Sequence, residues 1–184
     1  GSGSTSITAT GTVTVTGPAG DGIFARNGNT ANPDGTDMTV LAANVTGTDD
    51  GIDVRNYGSG AVNIITTGTV RGTGNNGIYV NNKGAGLTSV TVSGLVQGGP
   101  GVYPATGSGI STVTGAGKSS IITLNAGGVV GNYYGDAISN DAGNSTTTIN
   151  SGAQVFGKFS MGGGSDSVTF NGGDFTLVSQ IDGG

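Results

Sequence analysis

Apolar and polar residues alternate in short triplets that recur along the whole chain. In one alignment frame seven triplets match, and their third residues are separated by 21 to 32 positions. Alternation with a period of two is typical of a β-strand that buries one face. The first and third residues are therefore expected to point inward, and the middle residue, usually Thr, outward. The triplets occupy residues 7–9, 38–40, 62–64, 90–92, 122–124, 147–149 and 168–170.

Two further apolar positions follow most triplets. One apolar residue comes after a break, usually at Gly, and five units then carry a Gly–Ile or similar step. Gly, Asn and Asp separate these bursts, and Gly accepts the positive φ angles of tight turns at little cost. The first set is Val13, Val45, Val70, Val96, Val129, Val155 and Phe175, and the second is Ile23, Ile52, Ile78, Ile110 and Ile138.

Each unit therefore contains three short strands and is too small to bury its own apolar face. Stacked units bury that face continuously, with each strand paired to its counterpart one coil away. The sequence predicts an all-β fold, a parallel β-helix of about 20–32 residues per coil, as a single segment over residues 1–184. A two-sheet sandwich also has many short strands, but it does not require the triplet to recur in every unit. Whether Val102 or Ile110 fills the third strand of its coil stays open.

Composition supports the β interpretation and narrows the possible functions. Gly supplies 40 of the 184 residues, 9% of residues are charged, and His, Cys and Trp are absent. The net charge of −5 disfavours nucleic-acid binding, which needs clustered positive charge. Without Cys or His, zinc sites built on those residues are excluded. No apolar run approaches the length of a transmembrane helix, so we expect no direct membrane insertion by this segment.

Asp49, Asp50 and Asp53 lie in the stretch "DDGID", which resembles the "TDGID" signature of polygalacturonases. Hydrolysis of that kind needs carboxylates from adjacent coils in acid and base roles. The equivalent stretches of other coils carry no second acidic pair, and Asp before Gly is common in turns. We therefore expect a turn and no catalytic residue. "GGGSDSV" resembles a calcium-binding nonapeptide but occurs once, so no metal and no cofactor is predicted.

Three phrases near the C-terminal end carry a family resemblance. "LNAGGVVGN", "INSGAQVFG" and "MGGGSDSVTFNGGDFT" resemble the repeats of autotransporter passenger domains, the type V secretion family of bacteria. The resemblance implies a right-handed β-helix that is exported and then displayed or released, hence an extracellular or bacterial cell-surface location. The chain ends on "DGG" without a polar cap, so residues 1–184 are expected to be a fragment of a longer passenger. A structural or adhesive scaffold is the expected function.

Five tyrosines are the candidate partner-binding surface. Aromatic side chains at loop tips can stack on sugars or anchor a protein, although packing over an adjacent turn is the competing interpretation. The expected partners are a protein or glycan at a cell surface, or another copy through the open β-helix ends. A secreted module that binds a host receptor and a polysaccharide-active enzyme remain as alternatives. The tyrosines are Tyr57, Tyr79, Tyr103, Tyr133 and Tyr134.

Overall fold

Sixteen β-strands and no helix make up the part of the chain that the computed structural model describes, residues 3–99, 107–141 and 143–184. No helix in these ranges is long and apolar enough to cross a membrane. The strands are β1 (Thr5–Thr14), β2 (Ile23–Asn27), β3 (Met38–Gly47), β4 (Ile52–Asn56), β5 (Val62–Thr66), β6 (Val70–Gly72), β7 (Ile78–Asn82), β8 (Thr88–Val92), β9 (Leu95–Gln97), β10 (Ile110–Val113), β11 (Ser119–Leu124), β12 (Val129–Asn140), β13 (Asn144–Asn150), β14 (Gln154–Ser160), β15 (Ser167–Asn171) and β16 (Asp174–Asp182).

The strands stack into three parallel ladders, and the fold is a parallel β-helix. The first ladder runs β1–β3–β5–β8–β11–β13–β15. The second runs β1–β3–β6–β9–β12–β14–β16, and the third runs β2–β4–β7–β10–β12–β14–β16. Long strands such as β3 and β12 continue around a corner and therefore belong to two ladders. Gln154 pairs with Asp174 and Val96 with Val130, so one coil takes between 20 and 34 residues.

Aliphatic side chains from the three ladders fill the interior. The isoleucines of the Gly–Ile steps stack in register in the third ladder, and all except Ile23, at 6%, are 0% exposed. Ile110 pairs with both Ile78 and Ile138, so it fills the third strand of its coil; Val102 lies outside the described residues. In the next coil the completely buried Phe159 pairs with Ile138. A larger side chain thus continues the isoleucine stack where the Gly–Ile step is missing.

The pairing corrects the alignment frame of the triplets at two steps. Met38 pairs with Thr5, whereas the alignment frame paired it with Ile7. Val90 pairs with Ile64, whereas the frame paired it with Val62. A shift of two residues keeps every side chain on its own face, so the predicted inward positions remain inward.

For two of the single apolar residues after the triplets, Val129 and Phe175, the predicted place in the buried stack was also wrong. Val130, and not Val129, lies in register with Val96 and Val155 and is 0% exposed. Val129 is half-buried because it points the other way along the same strand. In the last coil Phe175 is 57% exposed and so does not continue the buried stack.

A column of asparagines closes the corner between the third ladder and the next coil. Asn27, Asn56 and Asn82 are in register and buried. The side-chain amide of Asn56 donates to the Gly60 carbonyl at 2.8 Å, and that of Asn82 donates to the Gly86 carbonyl at 3.0 Å. Because a buried amide must be hydrogen-bonded, the column fixes the path of each turn.

Candidate binding groove

The acidic residues of "DDGID" separate into two arrangements. Asp50 lies at the corner before the third ladder and is 4% exposed. Its Oδ1 accepts hydrogen bonds from the Asn76 backbone N, at 2.7 Å, and from the Asn76 side-chain amide, at 2.9 Å. Asp21 in the preceding coil accepts from the Asp50 backbone N at 3.3 Å, and Asn76 accepts from the Ser108 backbone N at 2.8 Å. Each side chain therefore caps the equivalent backbone position of the next coil.

Carboxylate oxygens gather at this corner. One oxygen each from Asp21, Asp49 and Asp50 lie within 4.8 Å of one another. Burial raises the pKa of Asp50 to about 6, with Asp49 and Asp53 adding to the rise and the Asn76 hydrogen bonds opposing it. Burial likewise raises the pKa of Asp21. Oxygen ligands of this type suit a hard cation. Here, however, Asp21 and Asp50 already accept hydrogen bonds from backbone N–H groups of the next coil, and these bonds hold the corner together.

Asp53 is held apart from that cluster by an arginine. Arg55 donates to both carboxylate oxygens of Asp53, from Nε at 3.0 Å and from Nη2 at 2.6 Å. This pairing raises the pKa of Arg55. The Arg55 guanidinium carbon also lies 5.5 Å from the centre of the Phe24 ring and 5.8 Å from that of Tyr79. Asp53 is 0% exposed beneath this cover, which explains how a carboxylate on the outer side of β4 becomes buried.

Tyr57 and Tyr79 belong to the same outer surface of the third ladder. Both are half-buried, and the guanidinium carbon of Arg26 lies 5.3 Å from the centre of the Tyr57 ring. Burial raises the pKa of the Tyr79 hydroxyl. These two tyrosines are therefore cation–π partners of arginines in neighbouring strands. Tyr103 lies outside the described residues.

Tyr133 and Tyr134 are the two most exposed tyrosines of the described chain, at 77% and 75%. They lie where β12 turns from the second ladder into the third. Four residues separate Gly131 from Asp136 in β12, whereas a single residue separates their partners Phe156 and Lys158 in β14. The additional residues have no counterpart to pair with, so the corner projects outward and carries both rings into solvent.

Asn132 anchors this projecting corner. It is 1% exposed, and its side-chain amide donates to the carbonyl oxygens of Gly99, at 2.8 Å, and Gly107. Its Oδ1 accepts from the Tyr134 backbone N at 2.9 Å. The Tyr133 ring packs on Phe156 in the next coil with 4.9 Å between ring centres. Both rings are thus exposed, with the Tyr133 ring held by Phe156 and the backbone of Tyr134 held by Asn132.

A hollow lies on each side of these rings, and we call the two together the tyrosine groove. The larger, of about 460 Å³, is lined by residues that include Phe156, Lys158 and Leu177. The smaller, of about 130 Å³, is lined by residues that include Arg71 and Gln97. Asn132, Tyr133 and Tyr134 contribute to both hollows.

The structure therefore distributes the predicted partner-binding tyrosines unequally. Tyr133 and Tyr134 line the groove, whereas Tyr57 and Tyr79 do not. Sequence reasoning missed Asn132 and Phe156, which hold the groove in shape. The sequence signal for Asn132 was its position directly before the Tyr–Tyr pair. Comparisons with protein-family models, with curated proteins and with solved structures found no match for the chain.

Proposed function

We propose that this chain is part of a surface-displayed or secreted β-helix scaffold that attaches to a partner at a cell surface through the tyrosine groove. The observation that carries the proposal is the pair of exposed tyrosines, 77% and 75% accessible, beside a hollow of about 460 Å³. Large aromatic side chains are enriched where proteins bind partners, and a rigid support lowers the entropy cost of binding. The repeat phrases that resemble autotransporter passengers support the extracellular location.

A non-catalytic role fits the chemistry of the groove better than hydrolysis. Asp136 is the only acidic residue among the described residues that line its two hollows. Glycoside hydrolysis ordinarily needs two carboxyl groups on either side of the scissile bond. The carboxylate cluster of Asp21, Asp49 and Asp50 lies at a corner of other coils and does not line the groove. We therefore propose adhesion, and not depolymerisation, as the activity.

Adhesion of coated beads tests the proposal. Fluorescent beads carrying the chain would be applied to epithelial monolayers and to lawns of Gram-negative bacteria, and retained beads counted after washing. We expect retention on at least one surface and its loss in the double variant Tyr133→Ala/Tyr134→Ala. The matched control is Tyr57→Ala/Tyr79→Ala, which removes two tyrosines outside the groove and should retain beads.

Two results would contradict the proposal. The first is retention that is equal for the parent and the Tyr133→Ala/Tyr134→Ala protein. The second is the absence of retention on every surface. Unfolding midpoints of all proteins would be measured in parallel, and exposed side chains such as Tyr133 and Tyr134 are expected to be replaceable with little loss of stability.

A further inference from the structure

The tyrosine groove extends along the helix axis and not along a strand. Its lining comes from successive coils, from Arg71 in β6 through Gln97 in β9 and the Tyr133 corner of β12 to Phe156 in β14 and Leu177 in β16. These elements follow one another in the second ladder. Since neighbouring strands are about 4.8 Å apart, four intervals place the two ends of the lining about 19 Å apart, with Tyr133 and Tyr134 between the two hollows. A ligand of that length is a chain of several units.

The direction of the groove excludes one common way of binding a peptide. A peptide that joins a sheet as an extra strand must lie parallel to the strands and beside a free edge. A ligand in this groove crosses the strands, and in the second ladder β6, β9, β12 and β14 have paired neighbours on both sides. A ligand in this groove is therefore not bound as an added strand of the sheet.

The charges of the groove favour an uncharged ligand. Its described lining contains two basic residues, Arg71 and Lys158, and the acidic Asp136. Lys158 already forms an ion pair with Asp182, with 3.1 Å between Nζ and the carboxylate oxygen. A sulfated or carboxylated chain needs a continuous row of free cations, and this lining does not supply one.

Hydrogen-bonding groups lie on both sides of the aromatic rings along the groove. Tyr133 and Tyr134 offer aromatic faces, whereas Gln97, Thr73 and Ser179 offer an amide and hydroxyls. A pyranose ring is matched to such a surface, because its C–H face stacks on an aromatic ring while its hydroxyls bond to polar neighbours. We propose that the tyrosine groove binds a neutral polysaccharide chain that lies along the helix axis, with Tyr133 and Tyr134 as stacking platforms. This inference rests on the proposed adhesive function and names the class of its partner.

Affinity electrophoresis tests the inference directly. The chain would be run in native gels cast with linear neutral glucans, mannans, galactans or xylans, and in gels cast with a sulfated polysaccharide. We expect retardation by at least one neutral polymer, undiminished at high salt and competed by its hexasaccharide but not by its monosaccharide. Tyr133→Ala/Tyr134→Ala should abolish the retardation, and Tyr57→Ala/Tyr79→Ala should leave it unchanged.

Three outcomes would overturn the inference: no retardation by any neutral polymer, retardation that survives the Tyr133→Ala/Tyr134→Ala change, or binding confined to the sulfated polymer at low salt. Its failure is distinguishable from failure of the adhesive proposal. If beads still adhere to cells through Tyr133 and Tyr134 but no neutral polymer retards the chain, adhesion stands and its partner is a protein or an anionic glycan.

Discussion

Side chains in this fold act differently according to whether they point into the coil or out of it. Ile78 is 0% exposed within the isoleucine stack, whereas Thr91 lies on the outer side of β8 and is half-buried. Asp50 is one exception, since this titratable group lies buried at a corner, as Asp53 lies buried beneath Arg55. The Asp50 pKa of about 6 follows from its burial and makes it a group through which pH changes stability.

Replacing Ile78 with Ala should be far more destabilising than replacing Thr91 with Ala. Removing three carbons from a close-packed stack leaves a cavity and should lower the free energy of unfolding by about 2 to 4 kcal/mol. Thr91→Ala removes an outward hydroxyl and methyl group and should cost less than about 1 kcal/mol. Chemical denaturation of the two variants measures both values. Equal losses would show that the inward and outward faces of the strands are assigned incorrectly.

Asp50→Asn should flatten the dependence of stability on pH. The folded-state pKa of about 6 is higher than the ordinary value of 3.8, so this group stabilises the fold fully below about pH 4 and loses that contribution as pH rises through about 6. Asn stays neutral and keeps an oxygen that accepts from Asn76. The unfolding midpoint of the variant relative to the parent should therefore be higher at pH 7 than at pH 4. If the difference in unfolding midpoint between variant and parent is the same at pH 4 and pH 7, the raised pKa of Asp50 is contradicted. Asp34→Asn, which changes an exposed carboxylate, is the control.

Strand existence could be predicted from sequence, whereas strand register could not be predicted completely. Period-two alternation specified which face each triplet buries, and that prediction is confirmed for the central rungs. A two-residue slip preserves the same alternation, so nothing in the pattern separated Ile64 from Val62 as the partner of Val90. Val129 and Val130 are identical residues side by side, and sequence offered no basis for choosing between them. Pairing with β9 and β14 decides the choice.

The groove illustrates a second limit of sequence reasoning. Tyr133 and Tyr134 were recognised as candidates together with three other tyrosines of equal standing. What distinguishes them is the difference in length between two paired corners, at Gly131–Asp136 in β12 and at Phe156–Lys158 in β14. That difference is defined only once the register is known. Tyr57 and Tyr79 are covered by arginines from adjacent strands, and this packing depends on the same knowledge.

Engineered disulfides can test the corrected register, because the chain has no Cys of its own. Ile65 and Thr91 are partners in β5 and β8, whereas Asn63 is two residues away from Ile65 along the same strand. Ile65→Cys/Thr91→Cys should oxidise readily, since strand spacing places the two Cα atoms about 5 Å apart. In Asn63→Cys/Thr91→Cys the offset adds about 6.6 Å along the strand and puts the atoms beyond bridging distance. Cross-linking of the second pair in preference to the first would show that the triplet alignment predicted from sequence is right and that the pairing of β5 with β8 given above is wrong.

The whole molecule combines a paired central stack with a more open last coil. Phe175, Leu177 and Ile181 in β16 are 57%, 64% and 52% exposed, and the described part of the chain leaves one side of β16 without a neighbouring strand. Unpaired strand edges beside apolar side chains favour addition of another chain. The tyrosine groove, by contrast, runs along the side of the stack. Leu177 belongs to both surfaces, whereas Phe175 and Ile181 lie outside the groove lining, so the two contacts can be tested separately at those residues.

Self-association through the open coils should depend on β16 and not on the groove. Phe175→Lys/Ile181→Lys places charges on the exposed end, at two residues outside the groove lining, and should weaken association at high concentration. Tyr133→Ser/Tyr134→Ser should associate like the parent. Analytical ultracentrifugation of the three proteins measures this. If the parent is strictly monomeric at high concentration, or only the tyrosine variant loses association, open-end pairing is wrong.

Chemical footprinting of tyrosines on the attached protein measures directly which surface meets the partner. The chain would be nitrated free in solution and while held on the cell surface to which its beads adhere, and each tyrosine quantified by mass spectrometry. In the free chain Tyr133 and Tyr134, at 77% and 75% exposure, should react faster than the half-buried Tyr57 and Tyr79. Attachment through the groove predicts protection of Tyr133 and Tyr134 with unchanged reaction at Tyr57 and Tyr79. Undiminished nitration of Tyr133 and Tyr134 on attached protein would contradict it.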